Sequence, residues 1–480
     1  MSKPKPRWIA GLVFGTALSS ALALVLAACD DEGRASRPGF DSPDTGSDMA
    51  EASPPSDGGF DAADAEEPRE PFDPADEPVT CAGSAPCAKQ ITAGANHFCA
   101  LMSDGTVRCW GSDNYGALGG GLPPKDPKDG GSNAGFTTLV GGLTDATQIS
   151  AGRFTTCARR DDGSVWCWGQ NSQGQLGLDD ARPSFDDQRH PTPEPVALHD
   201  PAVRVDVGFR NACAILVNGG VSCWGTNEEA QLARPGASLS YVLGPGMAEL
   251  APLTLAKTSI SNTTMLGLTT SGQVVTWAEV AGTTGFLGGR MTSINPDPAA
   301  GMIPQLTKVT SLVSTVTHDR PGSGGAGPIP KPPFKLAHAC ALADGEVYCW
   351  GRSDLGALGT GLPDEELAPA HATVKGKAWP QQLAAGVEIT CARMTDGTIQ
   401  CSGADGLGRL GTGQKEPFSA FFKPVASFES HAVQVATSDH AVCALVKDGT
   451  VECWGGNSSG ELAKGTPDGD PHPSPVKVSF

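Results

Sequence analysis

Positively charged residues are scarce in this chain and are spread thinly along it. The 480 residues contain 34 Lys and Arg against 53 Asp and Glu, which gives a formal net charge of −19. Proteins that bind phosphate backbones carry dense basic stripes, so we expect no nucleic-acid partner. Stretches free of turn formers are scarce as well, because 62 glycines and 39 prolines interrupt the sequence. A helical bundle or coiled coil is therefore excluded, and an all-β protein is the first expectation.

The amino terminus has the pattern of an export signal. Lys3, Lys5 and Arg7 form a basic region, and the run from Trp8 to Ala28 is almost wholly apolar or small. The run leads into Cys29 through the string LAAC, which resembles the bacterial lipobox. That resemblance implies that residues 1–28 are a lipoprotein signal peptide and that Cys29 is lipidated. The alternative is an uncleaved membrane helix, since the run is long enough to span a bilayer.

Either interpretation places the rest of the chain outside the cytoplasm. We expect a membrane-anchored lipoprotein of the bacterial cell envelope, with the choice between inner and outer membrane left open. Residues 29–80 would be an acidic, disordered tether, because they hold few large apolar side chains and cannot offset their chain entropy. A calcium loop at Asp41, Asp44 and Asp48 is the alternative, although the ligand spacing of an EF-hand is absent.

Beyond residue 80 one unit recurs. CALMSDGTVRCWG begins at Cys99, and similar strings begin at Cys157, Cys213, Cys340, Cys391 and Cys443. A seventh string begins at Leu266 and has no cysteines. A period of about 50 residues built from short strands is typical of a propeller, and seven units predict seven blades. Residues 81–480 would form this propeller, with repeats at about 89–144, 145–200, 201–254, 255–309, 310–381, 382–432 and 433–480.

Turn chemistry predicts how the two cysteines of a unit meet. The loop 103–105, Ser-Asp-Gly, suits a type I turn followed by a left-handed glycine, which places Cys99 opposite Cys109. In the fifth unit the two-residue loop Asp344-Gly345 suits a type I′ turn and still places Cys340 opposite Cys349. Two loop lengths therefore give the same cysteine register.

The count of cysteines agrees with this register. Without Cys29, fourteen cysteines remain, and in the fourth unit both are lost together, as a bonded pair requires. The expected disulfides are Cys81–Cys87, Cys99–Cys109, Cys157–Cys167, Cys213–Cys223, Cys340–Cys349, Cys391–Cys401 and Cys443–Cys453. Zinc ligation would need CxxC knuckles or nearby histidines, so we expect no metal site.

A longer pattern surrounds each hairpin and identifies a family. It runs Gln-Ile-x-Ala-Gly, then His-x-Cys-Ala-Leu, Asp-Gly, Val-x-Cys-Trp-Gly and Asn-x-x-Gly-x-Leu-Gly, and it is clearest in residues 90–119 and 148–177. This pattern resembles the regulator of chromosome condensation repeat in a bacterial, cysteine-bearing form. The resemblance implies a seven-bladed β-propeller. Two departures are Ala278, where glycine is expected, and Ser402, where tryptophan is expected.

The repeated side chains are expected to have structural roles. One tryptophan per unit, as at Trp110, would pack between blades. His97 and His338 occupy equivalent positions and would make turn hydrogen bonds. The repeated aspartates belong to turns, and no Ser-His-Asp set, phosphate loop or nucleotide fingerprint stands in a recognisable context. We therefore expect no catalytic residue and no cofactor.

A closing strand and three insertions complete the predicted architecture. The terminal residues 475–478, Pro-Val-Lys-Val, are expected to pair into the first blade beside residues 90–93 and so lock the ring. The insertions at residues 123–138, 179–195 and 318–334 are predicted to be loops and are candidates for a partner-binding surface.

The expected function is a non-catalytic, lipid-anchored module that binds a protein or glycan through one propeller face. The resemblance adds two other possibilities. One is a protein inhibitor, as a secreted β-lactamase inhibitor belongs to the family. The other is a guanine nucleotide exchange factor, as among the eukaryotic members. An exported hydrolase or lyase with its site in the propeller channel is a further alternative.

Overall fold

The computed structural model shows a seven-bladed β-propeller, which confirms the predicted fold class. It describes residues 72–480 apart from 74, 84, 122–135, 179–184, 235–241, 279–286, 291, 293, 295, 316–317, 320–334, 362–364 and 414–415. Contacts divide the chain into residues 1–67 and residues 68–480, and all described residues lie in the second unit. The predicted signal peptide and Cys29 lie outside the described residues.

Each blade is an antiparallel sheet built from one contiguous stretch of chain. The strands of blades one to four are β1 Ala88–Ala93, β2 His97–Met102, β3 Val107–Gly111, β4 Thr138–Leu139, β5 Ala146–Ala151, β6 Thr155–Arg160, β7 Val165–Asn171, β8 Asp186–Pro195, β9 Ala202–Val207, β10 Asn211–Leu216, β11 Val221–Thr226, β12 Val242–Met247, β13 Leu255–Ile260, β14 Thr264–Thr269, β15 Val274–Ala278 and β16 Asp297–Met302. Those of blades five to seven are β17 Val309–Ser314, β18 His318–Asp319, β19 Lys335–Ala343, β20 Glu346–Arg352, β21 Glu365–Ala372, β22 Pro380–Gly386, β23 Ile389–Met394, β24 Ile399–Ala404, β25 Phe418–Pro424, β26 Ala432–Thr437, β27 Ala441–Val446, β28 Val451–Asn457 and β29 Asp468–Lys477.

The first strand of every blade is the innermost one. The strands β1, β5, β9, β13, β17, β22 and β26 contact each other in ring order and enclose a central channel. We call the end of the channel where these strands begin the entry side, and the end where they finish the exit side. A three-residue 3₁₀ turn, Asn114–Gly116, is the one helical element among the described residues.

The hairpin turns have the predicted geometry. Gly105 is left-handed with φ of 79°, and Cys99 lies opposite Cys109. In blade five both loop residues are left-handed, Asp344 at 51° and Gly345 at 81°, as a type I′ turn requires. Cys340 lies opposite Cys349 there. Turn chemistry alone therefore sets the register of the two middle strands.

Seven disulfides join the cysteine pairs named above. In the six hairpin pairs the Cα atoms are 4.0 to 4.1 Å apart. All twelve of these cysteines are at most 1% exposed, whereas Cys81 and Cys87 are half-buried. Because a reductant must contact the sulfur atoms, the six hairpin bridges are protected as long as the blades stay folded.

Mild reduction of the folded protein should therefore open one bridge only. We expect dithiothreitol followed by alkylation to label Cys81 and Cys87, and to label the other twelve cysteines only after denaturant is added. Peptide mapping by mass spectrometry measures both sets. Equal labelling of Cys213 in the native protein would contradict the buried position of its bridge.

The tryptophans of the repeats pack between neighbouring blades, as predicted. All six are fully buried, and the indole nitrogen donates to a backbone carbonyl of the preceding blade in five of them at 2.8 to 2.9 Å. These five are Trp110, Trp168, Trp224, Trp277 and Trp454. In blade six Ser402 takes the position, and its hydroxyl donates to Ala357 O at 3.2 Å. The interblade hydrogen bond thus survives the loss of the indole.

A glutamine clamp joins neighbouring inner strands. The side chain of Gln90 donates to Ile149 O at 2.9 Å and accepts from Ile149 N at 3.0 Å. Gln148, Gln382 and Gln434 make the same pair of bonds to the next blade. Blades three to five have Arg204, Lys257 and Ser311 at this position, so three of the seven seams are built differently.

The predicted closure of the ring by the terminal residues is wrong. Strand β29 pairs with β28 of its own blade, with Val476 opposite Cys453. Every blade is completed in this way, because the chain reverses after the third strand and covers that strand's free edge. No strand is left over for blade one, and hydrogen bonds and apolar packing between the two blades close the ring instead. Gln434 clamps Ile91 with two bonds of 2.9 Å, and a shared apolar cluster joins the two blades.

Most of the insertion predicted to be a loop at residues 179–195 is instead a β-strand. Asp186–Pro195 forms the outer strand β8, with His190 opposite Gly169. Its prolines suggested a loop, but an outer strand has one edge free of the sheet and tolerates residues without an N–H. Of the other two insertions, the structure describes residues 136–138 and the short strand His318–Asp319.

The end of the predicted tether lies against the propeller. The ring of Phe72 is 6.0 Å from that of Trp379 in blade six. Residues 75–80, which we call the strap, continue across the entry side. Asp76 pairs with Arg393 at 3.2 Å, and Glu77 pairs with Lys447 at 2.8 Å. The tether boundary predicted at residue 80 is therefore too late, because specific ion pairs hold a segment whose composition alone predicts disorder.

Candidate functional site

The repeated aspartates act in turns. Asp104 accepts from the backbone N–H of Thr106 at 3.1 Å and from its hydroxyl at 2.7 Å, and Asp448 accepts likewise from Thr450. The hydroxyl of Thr106 lowers the pKa of the Asp104 carboxyl. These carboxylates stabilise hairpin loops on the entry side, and each lies in a different blade.

His97 and His338 bridge blades, and His97 does not make the predicted turn hydrogen bond. The Nε2 atom of His97 lies 2.9 Å from the hydroxyl of Thr156 in blade two, and that of His338 lies 2.7 Å from Thr390 in blade six. Both imidazoles are at most 1% exposed. Burial lowers the pKa of His97 to about 4, so this ring is neutral at physiological pH. A single sequence could not show this contact because its two partners lie in different repeats.

Two properties of the described residues concern metal binding and membrane insertion. Within them, no three His, Cys, Asp or Glu side chains are grouped as a metal ion would require. Over the same part of the chain, no helix has the length and apolar character needed to cross a bilayer.

Glycines bring the exit-side turns of neighbouring blades into contact. A Cβ atom on Gly152 would lie 1.8 Å from Gly208 O, and one on Gly208 would lie 2.2 Å from Cγ2 of Ile260. Gly152 therefore lies too close to the backbone of blade three, and Gly208 too close to the Ile260 side chain of blade four, for a larger residue. The residues that follow these glycines, Arg153 and Phe209 among them, become neighbours on the exit side.

An arginine–aromatic cluster results from this contact. It consists of Tyr115, Arg153, Phe154, Phe209 and Arg210. The Arg153 guanidinium carbon is 5.1 Å from the Phe154 ring centroid and 4.6 Å from the Phe209 ring centroid. Arg210 lies 5.3 Å from the Phe209 ring centroid, and the rings of Tyr115 and Phe154 are 5.7 Å apart. Arg153 is exposed and the other four side chains are half-buried.

This cluster can recognise another molecule through flat rings and charged donors. Each guanidinium stacked on a ring is held in place, which lowers the entropy lost on binding. The sequence carries a signal for it, since Arg-Phe and Phe-Arg follow the glycine in two successive repeats. Their proximity depends on contacts between blades, which the pattern within one repeat does not specify.

Sequence profiles identify the repeats. The profiles for the regulator of chromosome condensation (RCC1) repeat match residues 88–117 and 146–175, and also residues 162–215 and 344–393. These segments are similar to RCC1 repeats. The chain is 25% identical over 394 residues to the ultraviolet-B receptor UVR8 of Arabidopsis thaliana, covering 81% of this chain and 69% of the receptor.

Other relatives and solved structures agree with the fold. The E3 ubiquitin-protein ligase HERC2 of Homo sapiens is 26% identical over 76% of this chain, and the chain spans 7% of that ligase. Yeast RCC1 (Prp20) bound to Kap60 superposes with a TM-score of 0.61 at 16% identity, covering 84% of this chain and 85% of Prp20. At this identity the similarity shows the fold alone.

Proposed function

We propose that this RCC1-repeat propeller is a non-catalytic protein-binding module that acts outside the cytoplasm while a lipid on Cys29 anchors it. It binds its partner with the exit side. The observation that carries the proposal is the arginine–aromatic cluster, because Tyr, Phe and Arg are the residue types enriched in the energetically dominant centres of protein interfaces.

Two further observations support this proposal. Seven disulfides are compatible with an oxidising compartment, in which such bonds persist. Among solved structures of similar fold, yeast RCC1 (Prp20) binds Kap60, and Prp20p was studied for its binding to Gsp1p and histones. The present chain has a similar fold, and its exposed arginine–aromatic cluster would determine which partner it binds.

Capture from cell-envelope extracts tests the exit side. The probe is the full chain, compared with the double variant Arg153→Glu and Phe209→Ala. We expect the variant to retain less than about a tenth of the captured partner, because it loses a stacked charge and a ring at the centre of the surface. Quantitative mass spectrometry of the captured material measures the loss.

The matched control changes one cationic side chain and one phenylalanine elsewhere. Lys477 and Phe421 are exposed on the outer strands of blades seven and six, and Lys477→Glu with Phe421→Ala should leave capture unchanged. Equal capture by both double variants would reject the exit side as the binding surface. A captured GTPase that exchanges nucleotide would favour the exchange-factor alternative. Turnover of a polysaccharide would favour the enzyme, and retention by glycan alone would favour a glycan ligand.

The lipid anchor has a separate test. Mass spectrometry of the protein purified from the envelope should find residue 29 as the first residue, carrying acyl chains. A Cys29→Ala variant should leave the membrane fraction. An intact residue 1–28 segment on the purified protein would reject cleavage and favour the membrane-helix alternative.

A further inference from the structure

The entry side of the channel holds a cavity of about 440 Å³. Its lining is mainly polar and includes Lys89, Arg204, Lys257 and the inner-strand glutamines. Asp76 to Val79 of the strap also line it. Cavities of this size accommodate small molecules, and this one lies on the side opposite the arginine–aromatic cluster.

Most charges around the cavity are neutralised by a partner. Arg204 binds both carboxylate oxygens of Asp206 at 2.9 Å. The strap carboxylates are paired with residues of the blades, Asp76 with Arg393 and Glu77 with Lys447 and His431. Each of these groups therefore has its charge balanced by an oppositely charged neighbour.

The two lysines of the lining bind backbone carbonyls rather than carboxylates. Lys89 Nζ donates to Val79 O at 3.0 Å, and Lys257 Nζ donates to Leu312 O at 2.9 Å. Within the described residues neither ammonium forms a salt bridge with a carboxylate. Each ammonium has three N–H donors, so both can donate to a further acceptor in the cavity. The lining therefore carries excess positive charge with unused donors.

Lys257 stands where four other blades have the clamping glutamine. A glutamine uses both polar atoms of its amide on the next blade, as Gln90 does. Lys257 makes a single bond to its neighbour and adds a charge that the clamp does not need. Burial, with the neighbouring Arg204, lowers the pKa of this lysine to about 8, although the Asp206 carboxylate acts in the opposite direction.

We propose that the entry side of the channel is a binding site for a small anionic molecule, whose phosphate or carboxylate group is held by Lys257 and Lys89 beneath the strap. The inference does not rest on the proposed function, since it concerns the opposite side of the ring. Phosphate and carboxylate share the chemistry of an anion that accepts charged hydrogen bonds.

Calorimetry with inorganic phosphate and with citrate tests this site in the full chain. The key variant is Lys257→Gln, which restores the residue found at four other seams and is expected to keep the fold. We expect it to weaken binding of the preferred probe by about 10-fold or more, since a charged hydrogen bond is lost. Lys477→Gln on the outer rim is the matched control and should bind as the unaltered chain does.

The two probes separate the possible anions. Tighter binding of phosphate indicates a phosphate-bearing ligand, and tighter binding of citrate indicates a carboxylate. No measurable heat with either probe at about 10 mM would overturn the proposal. Unchanged affinity in Lys257→Gln would overturn it as well.

The pH dependence of anion binding tests the role of Lys257 a second time. Arg204 and Asp206 from β9 face Lys257, and Lys89, Asp76 and Glu77 lie around the same cavity. Strands β14 and β17, which also pack against β13, contribute no charged side chain. Affinity should fall about 10-fold between pH 7 and about 9.5 as Lys257 loses its proton. In Lys257→Gln the affinity for the anion should not show this decrease. A variant that keeps the full pH dependence would show that Lys257 does not hold the anion.

Discussion

Phe422→Ala is expected to lower the free energy of unfolding by about 3–5 kcal/mol, the range of large aromatic truncations in a packed core. Phe422 is fully buried on the outer strand of blade six, the one blade that has Ser402 in place of tryptophan. A Cβ on Gly359 would lie 2.4 Å from the Phe422 ring, just as one on Gly177 would lie 2.8 Å from the Trp224 indole. The phenyl ring therefore fills the space that an indole fills elsewhere.

A double-mutant cycle tests this exchange of rings. Ser402→Trp alone should destabilise the protein, because Phe422 already occupies the space. Combined with Phe422→Ala, it should recover much of the lost stability, since the indole then fills the cavity. Urea unfolding followed by circular dichroism measures each variant.

The matched control is the neighbouring ring. Phe421 is 55% exposed, so Phe421→Ala should change the free energy of unfolding by no more than about 0.5 kcal/mol. Equal effects of the two alanine variants would show that Phe422 does not replace the missing indole.

Acidification should destabilise the propeller through His97. Its folded pKa of about 4 lies below the ordinary value of 6.5, so the unfolded chain takes up the proton first. The stability from burying the neutral ring is complete above pH 6.5 and is lost as the pH falls towards 4. The difference between these two pKa values corresponds to a loss of up to about 3 kcal/mol.

The variant His97→Gln should remove this part of the pH dependence. Its amide can still reach the Thr156 hydroxyl, but it does not titrate. The measurement is the difference in unfolding free energy between pH 7 and pH 4.5, compared with the unaltered chain. His199 is exposed, and His199→Gln serves as the control that keeps the acid-induced loss. Identical pH profiles for His97→Gln and the unaltered chain would contradict the assignment.

The sequence predicted those features that arise within one repeat. The loops at Gly105 and Gly345 fix the cysteine register through backbone conformation, so turn chemistry was sufficient. The number of blades followed from the number of hairpins. The buried tryptophans followed from their size and recurrence.

Features that join two repeats were missed or predicted wrongly. The terminal strand was assigned to blade one because no further unit follows it, but it pairs within its own blade. The hydrogen bond between His97 and Thr156 was read as a turn contact because the two residues lie in different repeats. The arginine–aromatic cluster needs two turns, at Gly152 and Gly208, to touch across a seam. Such contacts depend on how neighbouring sheets are oriented, which the pattern within one repeat does not specify.

Each blade contains its own four strands, and this has a consequence for how such chains can change in length. A duplication or deletion of one whole unit would add or remove a complete sheet without splitting any other. The number of units in the ring would then be set by the wedge angle that the clamping glutamines and indoles impose on adjacent sheets. Ser402 with Phe422 shows that a seam can exchange its buried ring within the same seven-bladed fold.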